Sequence, residues 1–422
     1  MAEAGPPGVA DRAFAPGVAV PTVSVIVPVH NGGDDLARCL EAINRSACQP
    51  LECLVVDDAS TDGLTGETAR RSGARVLRQP RQRGPAVARN AGAAAAAGDI
   101  LFFTDADVVL HEDAIGRAVD ELSRSPDVAA VFGSYDVKPG DASLISRYRN
   151  LYHHWNHQVG AEEASTFWSG CGAVRRQVFQ AVGGFSESFA RPSIEDIELG
   201  YRLRAAGHRI RLLKDMQCTH LKRWTLRNMV YTDIFLRGAP WVELLRRFPD
   251  APADLNLGWR SRLATGLTGL LLLTLLALAW LRPGATLPFA ALLTACLLGA
   301  ALASSRGRGA FGELSGRPVA ERFGAKRFGA ARRLTGALAV TLAVALPLLA
   351  AWREPDPWAL LPLLLALAVA ALQFDFYRLL TRLHGLAFAL AVLPLQLLFF
   401  LGCGLSIPLG LARYATTGRP RT

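Results

Sequence analysis

The 422-residue chain has little of several things, and each scarcity narrows what it can be. Its seven cysteines (Cys39, Cys48, Cys53, Cys171, Cys218, Cys296 and Cys403) include no C-x-x-C pair and no finger-like spacing, which excludes a zinc ribbon and argues against a disulfide scaffold. They read as reduced, structural thiols facing a reducing compartment. Lysine supplies only 4 of the 46 basic residues, a bias we attribute to codon usage. The first twenty residues lack a basic flank followed by an apolar core, so the expectation is a disordered tail at 1–20, no signal peptide and a cytoplasmic N-terminal domain.

Acidic residues are scarce in one half only. Residues 1–250 hold 29 Lys and Arg against 30 Asp and Glu, a net of −1, whereas residues 251–422 hold 17 against 6, a net of +11. The basic excess therefore lies where the long apolar runs lie, which points to membrane orientation and anionic lipid and away from nucleic acid. Five stretches of 251–422 have spanning length: 262–281, 285–303, 334–352, 357–373 and 384–411. The basic loop 305–333 is expected in the cytoplasm, with an outward turn at Arg282. Pro394 and Pro408 leave the last stretch open between one broken span and a hairpin. Asp375 reads as an interfacial acid in preference to a relay group. The expected location is the inner (plasma) membrane, multi-pass, with the catalytic domain cytoplasmic.

The first half alternates strands and helices over 21–223. Apolar runs at Val23–Val29, Leu51–Val56, Ala74–Leu77 and Ile100–Thr104 are separated by amphipathic or Ala-rich helical segments, the pattern of a doubly wound, mostly parallel α/β sheet. Polar residues recur where strands end: His30 and Asn31, Asp57 and Asp58, then Asp105 and Asp107. Such an edge is where open α/β sheets bind ligands. Two carboxylates one residue apart suit a hard divalent cation that in turn holds phosphates.

The motifs Pro28-Val29-His30-Asn31, Val55 to Asp62, Arg83-Gly84-Pro85 with Arg89-Asn90-Ala91-Gly92, and Asp105-Ala106-Asp107 resemble successive motifs of the family 2 glycosyltransferases with a GT-A fold. Ser169 to Arg176, Val182-Gly183-Gly184-Phe185 and the acidic Ile194-Glu195-Asp196 continue the likeness. The resemblance implies a hexosyltransferase-like enzyme using a UDP- or GDP-sugar, a Mg²⁺ or Mn²⁺ ion and inversion at the anomeric carbon. It assigns Asp196 as base with Glu195 beside it. It places Pro28, His30, Asp57 and Asp58 around the nucleotide, with Arg89 at the diphosphate or bracing the Asp107 loop, and the cation on Asp105 and Asp107.

Processive members carry Q-x-x-R-W, in which Arg holds the diphosphate and Trp packs on the acceptor sugar. Here His220 replaces the Gln while Arg223 and Trp224 remain, so His220 is a third candidate cation ligand and long-chain polymerisation loses support. His153, His154 and His157 read as part of an amphipathic helix beside the acceptor cleft. Residues 224–250 interleave aromatics with Arg227, Arg237, Arg246 and Arg247, the pattern of an interfacial amphipathic helix. The reading is a membrane-anchored enzyme of cell-envelope glycan or glycolipid synthesis with a lipid-linked acceptor. The alternatives are a processive polysaccharide synthase and a catalytically silent membrane assembly module.

Overall fold

A computed structural model describes residues 20–249, 257–282, 286 and 357–417. Residues 1–19 of the expected tail over 1–20, the spans at 285–303 and 334–352 and the basic loop 305–333 lie outside them, apart from residue 286. The α/β half runs β1 (Val23–Val29), α1 (Gly33–Asn44), β2 (Glu52–Asp57), α2 (Thr65–Arg71), β3 (Arg75–Arg78), α3 (Pro85–Ala95), β4 (Ile100–Thr104) and β5 (Val108–Leu110). It continues through α4 (Ala114–Arg124), β6 (Val128–Tyr135), α5 (Leu144–Val159), β7 (Glu163–Ala164), β8 (Cys171–Arg175), α6 (Arg176–Ala181), α7 (Glu195–Ala205) and β9 (Arg209–His220).

The nine strands form one sheet in the order β3-β2-β1-β4-β8-β6-β9-β5, with β7 on β9. The first four strands pair in parallel, joined by helical crossovers. The second half is mixed: β8 runs antiparallel to β4 and β6, and β5 and β7 run antiparallel to β9, while β6 pairs with β9 in parallel. The sheet is thus less parallel than the sequence suggested. The strand at Cys171 to Arg175 enters beside β4 after a long detour through α4, β6 and α5, and a crossover of that kind is free to return in either sense.

Both faces are covered, which is why the central strands read as continuous apolar runs. Val25, Val27, Val55 and Phe102 face a core closed by α1 and α4. Ile26, Leu54, Val56, Leu101 and Phe103 face the other, closed by α3, α6 and α7.

After β9 come α8 (Leu226–Tyr231), a π-helix (Thr232–Gly238) and α9 (Ala239–Arg247). The apolar half shows α10 (Trp259–Leu281), α11 (Pro357–Leu372), α12 (Phe374–His384) and α13 (Leu386–Thr417). Among the described residues, α10 and α13 are long and apolar enough to cross a membrane, and α11 with α12 would make a third only as a pair bent by 79°. Despite Pro394 and Pro408, α13 is one helix and not a hairpin. Asp375, at the start of α12, lies 3.3 Å from Arg260 on α10.

An aromatic cluster joins the two halves. Tyr148, Tyr152 and Trp155 of α5 pack with Trp224, Phe376 and Phe388. The segment 226–247 is two short helices flanking a π-helical turn, packed under α13, with Leu226, Tyr231 and Phe235 left exposed.

Phe103 meets Phe185 edge-on at 5.1 Å and Phe179 at 5.4 Å on the second face. Phe103→Ala should cost about 3–5 kcal/mol, read as a lowered Tm of the detergent-solubilised chain. A Tm equal to wild type would show that this core does not limit stability.

Candidate functional site

The sheet edge gathers the polar strand ends as the topology requires. After β1, Asn31 takes a left-handed conformation (φ 55°), and its side-chain oxygen accepts the backbone N–H groups of Thr61 and Asp62, at 2.8 and 3.2 Å. His30 donates Nδ1 to the Asp58 carbonyl at 2.9 Å. The loops after β1 and β2 are therefore tied together, and Pro28 lies within buried β1.

Asp57 is internal. It accepts the Ser60 backbone N–H at 2.7 Å and pairs with Arg78 at 2.5 Å. Asp58 is also buried, and its two carboxylate oxygens accept the backbone N–H groups of Arg83 and Gly84, at 2.9 and 2.8 Å. Gly84 has φ 92°, and a Cβ there would meet the Ala190 carbonyl oxygen at 2.6 Å, so glycine is required for this docking. The Asp58 carboxylate thus shapes the wall next to Arg83 and is already bonded to backbone.

Arg89 joins the acidic motifs. Its buried guanidinium donates to Asp105 Oδ1 at 2.6 Å and to Glu195 Oε1 at 2.8 Å, linking the end of β4 to the start of α7. Burial alone would depress its basicity, but Asp105, Glu195 and Asp196 more than reverse this. Arg89 therefore braces Asp105 and Glu195.

The three expected cation ligands do not converge, and among the described residues no three His, Cys, Asp or Glu side chains form a ready metal cluster. The reason is that Asp105 is drawn into the Arg89 pair, since a buried guanidinium needs carboxylate partners. Asp107 and His220 do come together, with Nε2 of His220 3.5 Å from Oδ2 of Asp107, the latter side chain one-third exposed. The register places Val108 against His220 across β5 and β9. Burial opposes ionisation of Asp107, yet His220 and Lys222 hold its carboxyl below the usual range. A carboxylate and an imidazole side by side fit Mg²⁺ or Mn²⁺ whose other positions come from phosphate oxygens, the way Mg²⁺ is usually held.

The two acids opening α7 differ sharply. Glu195 is buried, taken by Arg89 and by the Ser193 backbone N–H at 2.8 Å. Asp196 is half-buried, and its Oδ2 accepts the Ser169 backbone N–H at 3.2 Å and hydroxyl at 3.3 Å. Burial, then the neighbouring Glu195 charge, raise its pKa to about 6, against the pull of Arg89.

Trp224 is placed otherwise than a sugar platform. Its ring is 6% exposed and lies in the aromatic cluster under Arg149, 5.3 Å away, while its backbone N–H donates to Ser146 Oγ. Arg223 is exposed and influences Asp141. The three helix histidines also differ. His154 and His157 donate Nδ1 to the carbonyls of Tyr135 and Gly133, whereas His153 packs against Tyr135 and Trp168, with burial keeping it neutral.

Sequence reasoning missed Tyr135, which stacks on His220 at 4.5 Å and 8°, and the buried Arg149–Asp233 pair at 2.8 Å. Their partners lie 84 or more residues away, and no local pattern signals them.

A mixed α/β sheet with its acids gathered on one edge is the arrangement at which open α/β sheets bind ligands. Residues 24–183 match Glycosyl transferase family 2, and residues 149–224 match the N-terminal domain of galactosyltransferase. Residues 24–183 of the α/β half accordingly resemble a family 2 glycosyltransferase domain. The pre-mycofactocin glycosyltransferase of Mycobacterium tuberculosis is 30% identical over 247 residues, 55% of this chain and 49% of that one. Glycosyltransferase AglE of Haloferax volcanii is 34% identical over 137 residues, 31% of this chain and 44% of that one. The O-antigen chain rhamnosyltransferase WbaN of Salmonella anatum is 25% identical over 244 residues, 53% of this chain and 75% of that one. The chain spans about half the length of the first of these relatives. A mannosyltransferase of Pyrobaculum calidifontis, solved with GDP-Man and Mn2+, aligns over 89% of this chain and 88% of its own at 21% identity and a TM-score of 0.42.

Arg89→Met leaves two carboxylates without their cation. Breaking such a buried pair should cost about 3–5 kcal/mol, against under about 1 kcal/mol for Arg83→Met, whose pair with Glu187 is exposed. Equal Tm losses for the two variants would contradict this ranking.

Proposed function

We propose that the chain is a membrane-held, inverting glycosyltransferase that moves a sugar from a UDP- or GDP-sugar to a lipid-linked acceptor at the cytoplasmic face. One observation carries the reading: a single buried guanidinium binds both Asp105, two residues before Asp107, and Glu195, immediately before Asp196. This tie of both acidic motifs to one residue supports reading them as the cation side and the base side of one site.

Asp196 serves as the base. Glu195 is committed to Arg89, which leaves Asp196 as the carboxylate that can take a proton, and Ser169 fixes its orientation. Asp196 takes the proton from the acceptor hydroxyl, whose oxygen bonds to the anomeric carbon as the bond to the diphosphate breaks and the diphosphate leaves with the electron pair. Asp107 and His220 would hold Mg²⁺ or Mn²⁺, which supplies positive charge to the departing diphosphate. The hydrogen-bonded loops at His30, Asn31, Asp57 and Asp58 form the rigid wall for the nucleotide. Two or three apolar helices packed on the domain support an acceptor that resides in the bilayer. The altered Q-x-x-R-W segment and the buried Trp224 favour single transfer over polymerisation.

Asp196→Asn should lower kcat by about 10²–10⁴-fold with nucleotide affinity unchanged, measured as nucleoside diphosphate release in native membranes with Mn²⁺. The base works only when ionised, so with its pKa raised to about 6 the wild-type kcat/KM should climb with pH through that value and level off above it. A profile flat from pH 5 to 8, or full turnover by Asp196→Asn, would remove Asp196 from the role. Removing divalent ions with a chelator should abolish turnover, with Mn²⁺ restoring it in wild type and failing to in Asp107→Ala.

A further inference from the structure

The helix that carries Glu195 and Asp196 is seated on the apolar half of the chain. Its start lacks an ordinary cap, because the N-cap position of α7 is taken by Ile194, whose apolar side chain cannot accept a backbone N–H. Ser193, the residue before it, follows exposed Arg191 and Pro192 and donates its hydroxyl to the Leu236 carbonyl, 43 positions away in the π-helix. The Ser193 backbone N–H meets Glu195 Oε2 at 2.8 Å. A long-range bond thus holds this helix end where a local cap would hold another.

Two further contacts join α7 to the same segment. Trp241 of α9 donates Nε1 to the Tyr201 hydroxyl at 3.0 Å, and Ile194 is buried with Tyr201 against Leu244. The π-helix and α9 are in turn fixed to α13. Ser406 Oγ lies 3.5 Å from the Ile234 carbonyl, and a Cβ on Gly238 would collide with the same hydroxyl. A Cβ on Gly410 would lie 2.5 Å from the Val242 side chain, and Arg413 is 3.5 Å from Glu243. Contact by contact, the path from α13 to Glu195 is continuous, and a π-helical turn of the kind found mostly at functional positions lies in its middle.

We propose that Ser193 is a positioning residue for Asp196 and that it makes sugar transfer depend on the docking of α13 against the π-helix and α9. This rests on the reading of Asp196 as the base. Ser193 acts through the start of α7. Releasing it lets Asp196 drift from Ser169, 3.2 Å away, and from the acceptor hydroxyl. The wall at His30, Asn31 and Asp58 belongs to other loops and stays in place. The signature is therefore a loss of kcat at unchanged donor binding.

Full-length protein in native membranes with Mn²⁺ is assayed for nucleoside diphosphate release from a panel of UDP- and GDP-sugars, and UDP and GDP binding is measured on solubilised protein. Ser193→Ala should lower kcat by about 10- to 100-fold, with KM for the nucleotide sugar and nucleotide affinity within about twofold of wild type. Ser193→Thr, which keeps the hydroxyl, should recover to within about threefold of wild type. Gly410→Ala, which forces α13 from α9 without touching the acids, should lower kcat by about three- to tenfold, but by less than about twofold when Ser193 is already alanine, since the path is then broken. A Gly410→Ala chain lost from the membrane leaves the two Ser193 variants to decide.

A Ser193→Ala kcat within about twofold of wild type overturns the proposal, whatever happens to Tm. So does a Ser193→Thr no faster than Ser193→Ala. A rise in KM with kcat kept overturns it as well, by assigning Ser193 to the donor. Unaltered kcat in Gly410→Ala, or losses that simply add in the double variant, removes the dependence on α13. Asp196→Asn is the reference: full turnover by that variant takes away the base and this inference with it, whereas an inactive Asp196→Asn beside an unimpaired Ser193→Ala sinks the positioning role alone.

Discussion

The Arg89 guanidinium is the constraint on which the rest of the cleft depends. It lies where water cannot solvate it, so it holds Asp105 and Glu195 at once, and each partner is the near neighbour of a side chain left free to act. Fixing Asp105 separates the two acids of Asp105-Ala106-Asp107 into a structural one and an available one. Fixing Glu195 does the same for Glu195-Asp196. The charge of Glu195 then raises the pKa of Asp196, while Arg89 limits the rise.

The sheet makes this arrangement possible. Strands β1, β2 and β4 end at one edge because they are parallel and joined by helical crossovers. The antiparallel return through β8 and β9 brings the segment from Ser169 and the His220 strand end alongside. The mixed sheet that departs from the expected pattern is thus what supplies Ser169 to Asp196 and His220 to Asp107.

Much of the α/β half was legible in the sequence. The strands at Val23, Glu52 and Ile100 and the helix at Pro85 show themselves through continuous apolar runs and a proline at a helix start. The identity of the acidic residues was equally visible. Their division of labour was not, because it depends on Arg89 meeting a carboxylate 106 positions away. Trp224 was placed as a sugar platform from its motif. The aromatic side chains that bury it come from α5 and from the apolar helices α12 and α13, contacts that no local pattern encodes. Pro394 and Pro408 similarly suggested a break, but α13 keeps its helical course through both.

Small residues set how near the apolar helix α13 comes to the catalytic half. Gly410 meets Val242 of α9, where a Cβ would lie 2.5 Å from that side chain, and Gly238 does the same against Ser406. Backbones this close leave no space for an acyl chain between them. On the proposed membrane-held reading, the site is consequently geared to the bilayer: a thicker or thinner membrane that changes the tilt of α13 shifts the height at which sugar transfer takes place.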